Sequence, residues 1–211
     1  MILLQLAVSL GAALYGIYAC KKGRQPLFFK ILCYAMLSYF MGNLFKAGYF
    51  LVYQTAPAGF HIGVLGHIGT YFFLISSYYG AIDSLLDNEE PGYNRYRYLS
   101  LAAPVIPLGM ACFSYGRAGF FQWLAFFLIA VPMAFTMYFA MKHLIFPDIE
   151  LGIVRVMRPY NICVLIFCFF DACAHVSLWG EKVSNIFLAM SMIPFVFMIP
   201  LARKGVAKWF I

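Results

Sequence analysis

The 22 residues from 120 to 141 contain no charged side chain, and six further stretches are nearly as apolar. Runs of that length leave few structural options. In hydrocarbon every backbone N–H and C=O needs a partner within the protein, which only helices and closed barrels supply, and a helix needs about 20 apolar residues to cross. Barrel strands alternate apolar and polar residues over about ten positions. Phe120-Phe121-Gln122-Trp123-Leu124-Ala125-Phe126-Phe127-Leu128-Ile129 shows no such alternation. The 211 residues are 64% hydrophobic and only 11% charged, where a soluble domain has about a quarter of its residues charged. A soluble enzyme, a disordered tail and a secreted disulfide scaffold are therefore excluded.

Seven runs between charged or Pro/Gly breaks read as spans, at 2–20, 31–53, 63–86, 99–115, 120–141, 160–179 and 183–201. The fold class is all-α: a polytopic integral membrane protein whose residues 1–211 form a single bundle of seven transmembrane helices. Loops rich in Lys and Arg stay cytoplasmic. Lys21, Lys22, Arg24, Lys30, Arg95, Arg97, Lys142, Arg155, Arg158, Arg203, Lys204 and Lys208 fall in one set of connections and the C-terminal tail, against only Arg117 and Lys182 in the other. This split places the N-terminus outside and the C-terminus inside, in the plasma membrane. The first run reads as an anchor that is retained, because no basic residue precedes it and Tyr18 is bulky where a cleavage site needs small residues. Tyr93, Tyr96, Tyr98, Trp179 and Trp209 fall where interfacial rings belong.

The six cysteines include no CxxC and read as small apolar filler. Pro104, Pro107, Pro132, Pro194 and Pro200 lie within spans and predict kinks. Gly63, Gly66 and Gly69, at intervals of three, predict close approach of the third helix to a neighbour. Asp83 groups with Asp87, Glu89 and Glu90 around Pro91-Gly92 and reads as part of a solvated bend, as do Asp148 and Glu150.

Ionisable groups at membrane depth are expensive, so each is a functional hypothesis with a partner to be named. The second span holds Asn43 and Lys46, the third His67, and the sixth Asp171 and His175. Tyr39, Asn43, Lys46, Phe50 and Tyr53 share one helical stripe; His67, Tyr71, Leu74 and Tyr78 share another; Asn161, Val164, Cys168, Asp171, His175 and Leu178 share a third. At ~1.5 Å per residue, Lys46, His67, Asp171 and His175 all lie about 6 to 12 Å below the outer helix ends. Three polar-aromatic stripes at one level predict an outward-opening pocket formed by Asn43, Lys46, His67, Tyr71, Tyr78, Asp171 and His175, with Lys46 and Asp171 as an ion pair.

No phosphate-binding glycine loop, GxSxG elbow or HExxH is present. The basic residues are accounted for by topology and the anionic inner leaflet, so no nucleic-acid partner is expected. Asp171-x-x-x-His175 presents two metal-capable side chains on one helix face and His67 offers a third. The seven-helix, N-out layout is similar to that of alkaline ceramidase-type amidohydrolases, but their HxxxH pair in the last span is absent and no residue carries over. It is also similar to the layout of SWEET sugar transporters, whose second and sixth helices correspond; again no family is assigned. The first function expected is transport of a small polar or anionic solute, with protons handled by His67, His175 and Asp171. The alternative is a receptor, a sensor or the partner subunit of a larger membrane complex. An intramembrane metal-dependent hydrolase is a third class. No catalytic residue, metal or cofactor is assigned. The partners expected are the bilayer, a small ligand, and a membrane-protein partner or a second copy.

Overall fold

A computed structural model describes residues 1–21, 25–83, 87, 91–147, 152–176 and 180–209. The helices are α1 (Ile2–Lys21), α2 (Leu27–Tyr53), α3 (Ile62–Tyr78), α4 (Asn94–Ser100), α5 (Ala102–Ser114), α6 (Phe120–Ile145), α7 (Ile153–His175) and α8 (Glu181–Trp209). Six helical segments are long and apolar enough to cross a membrane, with α4 and α5 forming one of them, and α3 is a shorter apolar helix. The chain is thus a multi-pass helical membrane bundle, and Leu3, Leu14, Phe72, Val105, Phe121 and Ile193 are among many large apolar side chains exposed on its outside. That is the surface a bilayer solvates.

The helices form a ring in which α1 packs on α2, α2 on α3, α3 on α6, α6 on α7, α7 on α8, and α8 closes against α1. The α4–α5 segment lies outside this ring against α6. A six-helix ring would leave a central void, which the crystal-like packing density of protein interiors does not tolerate. Tyr39, Phe167 and Phe195 fill it, with ring centroids 4.5 to 5.8 Å apart. Tyr71 stacks on Phe167 at 6.0 Å from the α3 side.

The glycine expectation for the third helix holds. A Cβ on Gly66 would lie 2.5 Å from the Gly42 Cα, so α2 and α3 touch backbone to backbone. Ser38 of α2 donates its hydroxyl to the Gly66 carbonyl at 2.9 Å across this contact. All five expected prolines lie within helices, Pro104 in the first turn of α5 and Pro107, Pro132, Pro194 and Pro200 further inside. The Pro194 carbonyl accepts from the Cys163 thiol at 2.9 Å, which shows one cysteine bonding as well as filling space. Cys20 and Cys33 place their sulfurs 3.1 Å apart between α1 and α2.

Two expectations are corrected at the end of the bundle where α3 finishes. The third helix does not continue unbroken to residue 86: after Tyr78 it widens into a π turn, Tyr79–Asp83. Asp83 is not a solvated bend residue either. Its carboxylate accepts from Lys142 Nζ at 2.7 Å and His143 Nε2 at 2.9 Å, both on α6. Lys142 Nζ is also 2.7 Å from Asp87, which in turn takes Arg97 as a second partner. Burial alone would raise the Asp83 carboxyl, but the hydrogen bonds from His143 and Lys142 outweigh it and hold it below its ordinary range. Sequence proximity groups Asp83 with Asp87, Glu89 and Glu90, and does not show that Lys142 and His143 come to meet it. Trp179, Leu178, Asn88, Glu89, Glu90, Asp148, Glu150, Lys22 and Arg24 lie outside the described residues, as do the side chains of Lys208 and Trp209.

Candidate functional site

At the opposite end of the bundle, the starts of α1, α3 and α6 meet the ends of α2 and α7 around a cavity of about 260 Å³. Its polar lining comes from Gln5, Lys46, His61, His67, Gln122 and His175. The 54–61 connection folds over it. Gln54 adopts a left-handed conformation (φ 55°) as its N–H closes α2 on the Phe50 carbonyl at 2.8 Å. Gly59 follows with φ 68°, where a Cβ would stand 3.2 Å from the Cβ of Phe121. A residue with a side chain would be both strained and crowded there, so glycine lets the connection lie flat over the start of α6.

The floor of the cavity is built from three helices. Lys46 Nζ lies 2.8 Å from His67 Nε2. Tyr39 sets its ring edge-on to His67 at 4.7 Å, and the His67 and His175 rings are 5.5 Å apart. Asp171 has no exposure and accepts the Tyr71 hydroxyl at 2.6 Å through Oδ2. His175 Nδ1 donates to the Asp171 main-chain carbonyl at 2.9 Å, one helical turn back, and is 3.8 Å from Asp171 Oδ1. Of the residues expected to form the pocket, Lys46, His67 and His175 line the cavity, whereas Tyr71 and Asp171, bonded to each other, and Asn43 are buried outside its lining.

The pairing within the group differs from expectation. Lys46 is hydrogen-bonded to His67, and Asp171 to Tyr71; Lys46 and Asp171 form no ion pair. The contacts put Lys46, His67, Asp171 and His175 at one level, but which partner fills the gap between helices depends on their azimuth. Tyr78 does not join the pocket: it donates to Asn161 Oδ1 at 2.9 Å and lies 5.2 Å from the His143 ring, towards the other end. Seven residues on from Tyr71 is two turns, about 10 Å, which carries it past the aromatic floor.

Several buried polar atoms here lack partners: both amide atoms of Asn43, Nε2 of Gln5, Nδ1 of His67 and Oδ1 of Asp171. The Tyr39 hydroxyl lies close to Gln5, Asn43 and Asp171 without a well-formed hydrogen bond to any of them. Each such group costs about 1–3 kcal/mol when left unmade, so this group of side chains is a candidate place for polar atoms of a ligand. Sequence reasoning missed Gln5, His61 and Gln122. Gln5 and Gln122 are neutral amides in spans, and weighing amides with the ionisable groups would have found them. His61 sits in a connection, and only the chain path brings it over the cavity. There, burial, with the charges of Lys46 and His175 adding to it, lowers its pKa from 6.5 to about 4. The ring stacks on Phe45 at 5.6 Å.

Comparison with known proteins returns no matching family model, no matching curated protein and no matching solved structure.

Proposed function

We propose that this membrane bundle binds a small polar or anionic solute in the cavity between Gln5, Lys46, His61 and His175 and carries it across the bilayer. The observation that carries this reading is the cavity floor, where N–H donors of Lys46 and His67 stand beside buried polar atoms with no partner in the protein. A pocket of about 260 Å³ suits a solute of roughly nine heavy atoms, at about 30 Å³ for each water-sized group. Below it, Tyr39, Tyr71, Phe167 and Phe195 pack without exposure, and at the far end Lys142, Asp83, Asp87 and Arg97 are ion-paired. Access from one end with the other end shut is one of the two states a carrier alternates between. The twelve-to-two distribution of basic residues supports an outward-facing cavity.

The test is uptake of a panel of small carboxylates, phosphate and sugars into liposomes holding the purified chain, compared with Lys46→Met. Loss of a hydrogen bond to a charged group costs about 1.5–3 kcal/mol, so Lys46→Met should weaken solute binding by roughly 10- to 100-fold. Saturable uptake that falls by this factor supports the reading. Saturable binding without any flux would replace it with a receptor or partner subunit.

A further inference from the structure

We infer that His67, Asp171 and His175 form a binding site for a divalent transition metal of the zinc class on the cavity floor. Among the described residues this is where three metal-capable side chains converge, with one ligand atom of each within 4.8 Å of the others. His67 and Asp171 have no exposure, and His175 is partly exposed, with 18% of its side chain accessible.

The hydrogen bonds select the atoms. Each of the three side chains has one polar atom tied to a neighbour and one left over. Asp171 Oδ2 takes the Tyr71 hydroxyl, and Oδ1 is unpartnered. Lys46 occupies His67 Nε2, and Nδ1 is unpartnered. His175 spends Nδ1–H on the Asp171 carbonyl, which fixes the lone pair on Nε2. A histidine whose second nitrogen is tied to a carbonyl, and a carboxylate whose second oxygen is tied to a donor, are the outer-shell arrangement that orients metal ligands. A metal on His67 Nδ1 displaces the Nδ1 proton to solvent, while the Lys46 ammonium passes a proton to Nε2 and, as a neutral amine, accepts the hydrogen bond from it. Two imidazoles and one carboxylate suit zinc, with three protein ligands leaving a fourth position open. That position faces the cavity, which His67 and His175 both line. The metal would then meet the solute directly, through a carboxylate or phosphate oxygen.

This site uses the same pocket as the proposed carrier but does not depend on transport. Metal binding without flux would leave it standing, and flux by folded protein that binds no metal would remove this inference alone. The full-length chain, purified in detergent and stripped with a chelator, is titrated with Co²⁺ as a visible probe and then with Zn²⁺. One Co²⁺ per chain should bind with a visible d–d band and be displaced by Zn²⁺. The band should vanish in Asp171→Asn and His175→Asn, and the affinity should fall about 10- to 100-fold in Tyr71→Phe, the positioning residue. His175 lies at the end of α7 and is partly exposed, so His175→Asn should fold even if Asp171→Asn does not. Folded wild-type protein that takes up neither metal at stoichiometric amounts overturns the proposal. So does a band that persists in His175→Asn.

Discussion

At the scale of single residues, His61 shows what the chain path adds to a side chain. Free in solution its imidazole would titrate near 6.5, but burial over the cavity and the nearby Lys46 and His175 charges lower it to about 4. The unfolded chain therefore binds a proton that the folded one refuses between these values. The neutral ring's contribution to stability is complete above about pH 6.5 and is lost as the pH falls towards 4. His61→Gln should flatten the acid side of the stability profile: the drop in melting temperature from about pH 7.5 to about pH 5 should be smaller than in wild type, as measured in detergent. An unchanged drop would place the sensitivity elsewhere. The stripes of Lys46, His67, Asp171 and His175 were legible because ionisable groups are scarce in these spans and helical spacing fixes their faces. Their pairing was not, since a rotation of one helix by tens of degrees exchanges Asp171 for His67 as the neighbour of Lys46.

At the scale of elements, the α2–α3 contact is where a small change should matter most. Gly42 and Gly66 allow the two backbones to touch, and the Cβ of an alanine at 66 would meet main chain rather than a flexible side-chain tip. Overpacking of this kind costs about 1–3 kcal/mol. Gly66→Ala should therefore lower the melting temperature by several degrees. It should also disturb the pocket, because His67 follows directly and Lys46 lies one turn beyond Gly42. Both effects can be read on one preparation by thermal unfolding and solute binding. An unchanged melting temperature would mean that α3 can slide away from α2 without loss. The glycine spacing pointed to this contact in the sequence. The π turn at Tyr79–Asp83 did not show there, because it depends on Asp83 reaching Lys142 and His143 across some 60 residues of chain.

For the whole molecule, the two ends of the bundle differ in kind. One holds the open cavity beneath residues 54–61, and the other holds the ion pairs of Asp83, Asp87, Arg97 and Lys142. The distribution of basic residues predicts that the cavity faces outside. A cysteine introduced at Ala58 should therefore react with an impermeant maleimide added to intact cells, whereas one at Lys204 should react only after permeabilisation. The reverse pattern would invert the sidedness and turn the cavity towards the cytoplasm. The existence of apolar helices, their rough limits and the helix class of the fold were determined by sequence, since hydrocarbon tolerates no other use of such runs. The level of the polar groups followed as well, because rise per residue is constant. What only the tertiary structure decided was azimuth and partner: Tyr71 on Asp171, Lys46 on His67, Tyr78 turned to Asn161, and the 54–61 connection laid over the pocket. These depend on how far each helix is rotated about its axis, and in a chain apolar on nearly every face that rotation is set by packing against neighbours rather than by a single oily stripe.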